Sequence, residues 1–275
     1  MILNYIVWKV SPVAFTIPEA VPFLGGHEIR WYGIMFASAF IASYWVLSKI
    51  FKNEGEDEKL MDSILMYAII ATVIGARLGH CLFYEPGYYL SHPVEILKIW
   101  KGGLASHGAS IGLLIGFYLF SKKNNKPFLW TMDRAVIVVA LGGAFIRMGN
   151  LFNSEIFGHV TTLPWGFYFV NYYDPKFAAD PRHPTQIYEA LSYFIIFLIT
   201  YRMYWKAKGH PTPGKIFGWF LIMLFSVRFL IEFLKEPQVG FEQNMILNMG
   251  QILSIPFIIG GVVLLYYSYK GKFGE

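Results

Sequence analysis

The stretch IRMGNLFNSE, residues 146–155, closes a long apolar run and places Arg147, Asn150, Asn153 and Glu155 within a few positions of one another. The residues before it, 130–149, are almost all apolar, and a membrane-spanning helix needs roughly 20 such residues. Windows of the same kind recur at 31–51, 62–84, 103–121, 187–205, 214–233 and 249–269. The reading that follows is an all-α integral membrane protein with about seven transmembrane helices, forming one membrane-embedded domain over residues 1–275. The polar stretch then falls where a membrane helix ends, and hydrogen-bonding groups at that depth need a reason.

Composition agrees with this reading. Of 275 residues, 55% are hydrophobic, 19% aromatic and only 15% charged, with a mean hydropathy of +0.44; an ordinary soluble domain is about one-quarter charged. The opening MILNYIVWKV lacks a basic region ahead of a continuous apolar stretch and a small-residue cleavage site, so no removable signal peptide is expected. The single cysteine, Cys81, excludes an intramolecular disulfide and a cysteine-based metal motif. A net charge of +5, scattered along the chain, gives no nucleic-acid footprint.

The distribution of charge is more informative than its sum. The connections after the first, third and fifth spans, with the tail, hold twelve Lys and Arg, from Lys49 and Lys52 to Lys270 and Lys272; the opposite connections hold seven, among them Lys101, Arg182 and Lys235. Basic residues accumulate on the cytoplasmic side, which puts the N-terminus outside and the C-terminus inside. The long 150–186 connection, with its aromatic and partly alternating TTLPWGFYFVNYYDP, is then expected to form a small extracytoplasmic head, and 234–248 also faces outward. No internal repeat is visible.

Four arginines remain inside spans: Arg77, Arg134, Arg147 and Arg228. An unpaired charge at the bilayer centre costs at least about 2.5 to 3.5 kcal/mol, so such residues mark a polar site or a compensating partner. Arg134 follows Asp133 directly after a cytoplasmic loop and has a structural reading: it snorkels or pairs locally. Arg228 stands four residues before Glu232 on one helix face; the two either neutralise each other or Glu232 orients a guanidinium for an anionic substrate, the natural partner of a planar, permanent cation. Arg77 and His80 share the outer end of their span, where Gly75 and Gly79 thin the helix for a neighbour or a lipid headgroup. Cys81 reads as a small buried apolar residue rather than a nucleophile. His107, in the glycine-rich KGGLASHGASIG, is either structural or a proton acceptor beside a bulky ligand. RHPTQIYEA, residues 182–190, brings Gln186 and Glu189 to the far end of the long connection, and all these groups fall at the outer level of the bundle. Intramembrane arginines also mark anion transporters, but those spread polar groups through the membrane depth, often in repeated halves.

The blocks GARLGHCLFYEPGYYLSHPVEILKIWKGGLASHGASIG (75–112), RMGNLFNSEIFG (147–158), RHPTQIYEA (182–190) and VRFLIEFLKEP (227–237) closely resemble, in the same order and spacing, the signature blocks of the bacterial prolipoprotein diacylglyceryl transferases. The likeness covers about residues 28–265. It implies a seven-helix inner-membrane enzyme that moves a diacylglyceryl group from phosphatidylglycerol to the lipobox cysteine thiol of a lipoprotein precursor and releases glycerol phosphate. Its partners would be phosphatidylglycerol, lipoprotein precursors and the bilayer, with no cofactor, metal or nucleic acid. By motif match the lipid-binding arginine falls on Arg147, with Asn150, Glu155 and Gly158 beside it, the histidine on His107, the Arg–Glu pair on Arg228 and Glu232, and the R-W-Y-G tyrosine on Tyr32. His80 and Leu224 stand where members of the family carry tyrosines. The expected catalytic set is His107, Arg147, Arg228 and Glu232, and the substrate-binding set Arg147, Asn150, Asn153, Glu155, Gly158, Tyr32, Arg77, Gln186 and Glu189. His107 would act as base. Arg147 would clamp the phosphate, held by Glu155 and with Gly149 admitting the lipid, and Asn150 would donate to headgroup oxygens.

Overall fold

A computed structural model describes residues 5–22, 25–99, 102–172, 174–236 and 245–273. Residues 1–4 of the opening stretch, Lys101, and 237–244 of the expected 234–248 connection lie outside the described residues.

In chain order the elements are β1 (Ile6–Trp8), β2 (Val13–Thr16), β3 (Glu28–Arg30), α1 (Trp31–Glu54), α2 (Glu58–Phe83), α3 (Pro86–Ser91), α4 (Pro93–Ile96), α5 (Ser106–Lys123), α6 (Phe128–Phe152), β4 (Phe167–Phe169), α7 (Pro175–Ala178), α8 (Thr185–Lys206), α9 (Lys215–Glu232) and α10 (Met249–Tyr269). Each of the seven apolar stretches read from the sequence forms a long helix. Among the described residues four of these, α1, α2, α6 and α10, are long and apolar enough to cross a membrane. Two small strand pairs qualify the all-α reading. β1 pairs with β4 in parallel, Ile6 opposite Phe167 and Trp8 opposite Phe169, and β2 pairs with β3 antiparallel.

The chain divides into two compact units, residues 47–134 and residues 1–46 with 135–275. In the first, Asp57 caps α2 by accepting from the Lys59 N–H. The α2–α5 contact is built from small residues: a Cβ added at Gly108 would lie 2.1 Å from the Gly75 carbonyl oxygen, and one at Gly79 would lie 2.6 Å from the Gly108 Cα. Gly75 and Gly79 therefore serve a neighbouring helix, the small-residue contact that apolar helices use to approach closely. At the far end of this unit Arg134 meets Glu54 at 3.0 Å, both nearly sealed from solvent, and lies 4.5 Å from the Trp130 ring centroid. The structural reading of Arg134 stands, with its carboxylate eighty residues away in sequence.

The second unit packs α8 against α9 and α9 against α10. A capping box starts α10, in which the Asn248 side chain accepts from Gln251 N–H and the Gln251 side chain accepts from Asn248 N–H. The 150–186 connection is ordered around Leu151, Phe157, Phe167 and Phe169, with Trp8 packed on them. Its aromatic alternation is what lets a three-residue strand bury Phe167 and Phe169 on β1.

Candidate active site

The site begins where α6 stops. After Phe152 the chain turns through two non-glycine residues in the left-handed region, Ser154 (φ 54°) and Ile156 (φ 60°), a conformation that costs on the order of 1–3 kcal/mol per residue and persists only when its surroundings enforce it. The first turn of α8 does the enforcing: Thr185 Oγ1 donates to the Ile156 carbonyl (2.9 Å) and Gln186 Nε2 to the Glu155 carbonyl (2.7 Å). The turn folds Glu155 back under its own helix, where its Oε1 accepts from Asn150 Nδ2 (2.8 Å) and Asn153 Nδ2 (3.1 Å).

Arg147 sits one turn earlier. Its Nη1 donates to Asn150 Oδ1 at 3.1 Å, so Glu155 reaches it through the Asn150 amide rather than directly. The carboxylate in contact is Glu189, whose Oε2 lies 3.0 Å from Arg147 Nε. That oxygen accepts no aligned hydrogen bond among the described residues, so the contact is an ion pair and not a directed bond. Glu189 Oε1 accepts from Lys235 Nζ at 3.0 Å and from the Tyr193 hydroxyl at 3.2 Å, and Lys235 Nζ also reaches Glu232 Oε2 at 3.3 Å. The result is a chain of alternating charge, Arg147, Glu189, Lys235, Glu232. Glu189 is fully buried while 16% of the Arg147 side chain stays exposed, so of this ion pair only Arg147 keeps any exposed surface.

This arrangement corrects three sequence readings. Arg228 and Glu232 share a helix face, yet the ion pair to Glu232 comes from Lys235, and Arg228 forms none among the described residues. In sequence Lys235 reads only as a loop cation; nothing in its spacing announces a buried partner forty-six residues away. Gly149 does not admit lipid, because Tyr32 fills that space: a Cβ there would lie 2.9 Å from Tyr32 Cδ2.

Gly158 contributes through its backbone. Its N–H donates to the His183 carbonyl, it bridges Lys235 antiparallel, and a Cβ would lie 2.3 Å from the Leu234 carbonyl. Only a residue without a side chain lets the segment carrying Lys235 close on the segment carrying Glu155. Beside it the buried Arg182 donates to Glu236 Oε1 (2.6 Å), which also faces His159 Nδ1 at 3.3 Å. Burial, and next the neighbouring His159, hold the His183 imidazole below its ordinary range, and its Nδ1 meets the Tyr188 hydroxyl at 3.3 Å.

Arg77 and His107 belong to the unit formed by residues 47–134 and are described with it. Arg77 is buried and spends its donors on backbone carbonyls: those of Glu95 (2.6 Å), Ile96 (2.8 Å), Gly102 (2.6 Å) and Gly103 (3.2 Å). Its guanidinium is occupied by protein, with the Tyr89 ring 5.0 Å away. His107 lies in the first turn of α5, exposed.

Long apolar helices and a buried chain of alternating cations and carboxylates define the class: an integral membrane protein with a polar site assembled among its helices. Residues 18–267 match the family model described as Prolipoprotein diacylglyceryl transferase. The chain is 43% identical over 266 residues to the phosphatidylglycerol–prolipoprotein diacylglyceryl transferase of Tolumonas auensis, covering 96% of this chain and 98% of that one. It is also 43% identical to the proteins of that name from Chloroherpeton thalassium (97% and 96% covered) and Porphyromonas gingivalis (97% and 95%). The chain belongs to the prolipoprotein diacylglyceryl transferase family, a family of transferases, and the anion-transporter reading is not favoured.

Proposed function

We propose that this protein transfers the diacylglyceryl group of phosphatidylglycerol to the lipobox cysteine thiol of a lipoprotein precursor at the bacterial inner membrane. The thiolate sulfur attacks the glycerol carbon that carries the phosphodiester, a carbon–sulfur bond forms, the carbon–oxygen bond breaks, and glycerol phosphate leaves with the electron pair. The leaving phosphate gains charge as that bond breaks, so a cation aimed at it stabilises the transition state more than the bound lipid. The observation that carries this reading is Arg147, held from two sides by Glu189 and Asn150 while its side chain is not fully buried. Its planar fork suits a phosphate.

The thiol, with an ordinary pKa near ~8.5, must lose its proton. We assign that step to His107, whose exposed imidazole makes no hydrogen bond or ion pair among the described residues. Arg228 adds positive field, Glu232 and Gln186 hold the frame, and Asn150, Asn153 and Tyr32 complete the headgroup shell. Arg77 is reassigned to holding the carbonyls of Glu95, Ile96, Gly102 and Gly103. All seven long helices cross the bilayer, with the N-terminus and the 150–186 head outside, a placement supported by twelve basic residues against seven.

Incubating the purified protein with radiolabelled phosphatidylglycerol and a lipobox peptide tests the reading. Label should appear on the peptide thiol and not on a peptide with serine in place of cysteine; label that stays in the lipid overturns it. His107→Ala with turnover near wild type would remove the base assignment alone. Thiol labelling of Lys123→Cys from inside and Val160→Cys from outside, in a Cys81→Ala background, tests the orientation.

A further inference from the structure

We propose that the seam between α6 and α8 holds one acyl chain of the lipid whose headgroup meets Arg147; this rests on the function proposed above. The seam is a cavity of about 400 Å³, within the size range of small-molecule sites, lined on α6 by Leu141, Ala144, Phe145 and Met148 and on α8 by Ile187, Ala190, Leu191 and Phe194. Both sets follow the same i, i+3, i+4, i+7 spacing, so each is a single stripe two turns long on its helix. Ala144 and Ala190 are buried and small, and make a floor; Leu191 and Phe194, 58% and 43% exposed, make an outer wall.

The charged groups lie next to this seam. Arg147 precedes Met148 by one residue and Glu189 precedes Ala190 by one, a rotation of about 100° on each helix. The ion pair and the seam therefore occupy adjacent faces of the same helix pair at the same level. Met148 and Ile187, at one end, pack on the Leu151, Phe157, Phe167 and Phe169 cluster; Leu141, at the other, is near the middle of α6. The seam thus starts at Met148, the residue after Arg147, and runs roughly 10 Å along the helix toward its centre. A ligand that presents an anion at one end and a wholly apolar chain directly adjoining it fits this order of surfaces. No polar side chain lines the seam to receive a peptide or a sugar, and the continuity with the Arg147 site favours the lipid over a second copy of the protein.

The test compares dipalmitoyl with dihexanoyl phosphatidylglycerol as donors in detergent. Ala190→Leu, which raises the floor, should increase KM for the long-chain lipid about tenfold, leave kcat near wild type and leave the short-chain lipid unaffected. Leu191→Ala, at an exposed wall that does not hold the fold, should weaken the long-chain preference several-fold. Equal effects on both lipids, or none on either, would overturn the proposal. Phosphatidylglycerol carrying a diazirine at the acyl terminus should label residues 141–148 or 187–194, and labelling elsewhere only would count against it. Disulfide capture of two chains through Leu191→Cys would assign the seam to a second copy. If the wild type labels in the seam yet transfers from neither lipid, the groove stands and the proposed reaction falls.

Discussion

Lys235 Nζ lies 3.0 Å from Glu189 Oε1, and Glu189 presents its second oxygen to Arg147. One carboxylate therefore divides itself between two cations from different segments, and Lys235 helps set where Glu189 stands beside Arg147. Desolvating such groups is costly, and each is tolerable only while its partner is present.

Lys235→Met should accordingly do more than remove a charge. It leaves Glu189 and Glu232 buried beside a methyl thioether, and breaking a buried pair this way costs about 3–5 kcal/mol. We expect a lower thermal midpoint and at least a hundredfold loss of diacylglyceryl transfer. Lys235→Arg, which keeps a cation within reach of both carboxylates, should recover most of the activity. Full transfer by Lys235→Met at wild-type stability would show that Glu189 needs no second cation.

Gly149→Ala tests the contact with Tyr32. The new methyl would lie 2.9 Å from Tyr32 Cδ2, and overpacking of this kind costs typically about 1–3 kcal/mol. The variant should melt lower than wild type. Tyr32→Ala in the same chain should cancel much of that loss, so that the double-mutant cycle shows a coupling well above the roughly 0.5 kcal/mol scatter of independent sites. Additive effects would mean that the ring is not the obstacle.

What could be read in advance follows from the range of the interactions. Long apolar windows mark helices because burial in a membrane is decided residue by residue, and α1 to α10 include all seven. Arg147, Asn150, Asn153 and Glu155 were visible as a group because their contacts span two to five positions on one helix end. Glu189 and Lys235 lie forty-two and eighty-eight positions beyond Arg147, and no spacing rule reaches that far; their blocks could be matched to a family, but which charge meets which could not be read. β1 and β4 have three residues each, too few for an alternating pattern to stand out from chance. Arg77 shows the opposite failure. An intramembrane arginine reads as a ligand for anions, whereas here the carbonyls of Glu95, Ile96, Gly102 and Gly103 take the anion's place.

Arg77→Lys should release those carbonyls. A single ammonium cannot reach four acceptors spread over Glu95, Ile96, Gly102 and Gly103. Limited proteolysis should cut the variant within 95–103 at least tenfold faster than wild type. Equal cutting rates would show that α3, α4 and the segment after them hold without the guanidinium.

Ser154→Gly is expected to stabilise the protein. Ser154 is fully buried in the left-handed region, and its hydroxyl has no hydrogen-bond partner among the described residues. A side chain in that region costs roughly 1–2 kcal/mol, and an unpaired buried hydroxyl about 1–3 kcal/mol more. Glycine removes both, against about 1 kcal/mol for its greater freedom in the unfolded chain. The thermal midpoint should rise. Ser154→Ala separates the two contributions, since it removes the hydroxyl but keeps the strain, and should fall between wild type and the glycine variant. If glycine instead lowers the midpoint and also slows transfer, the serine is bonded in the working enzyme, and the strained turn that folds Glu155 under Asn150 depends on it.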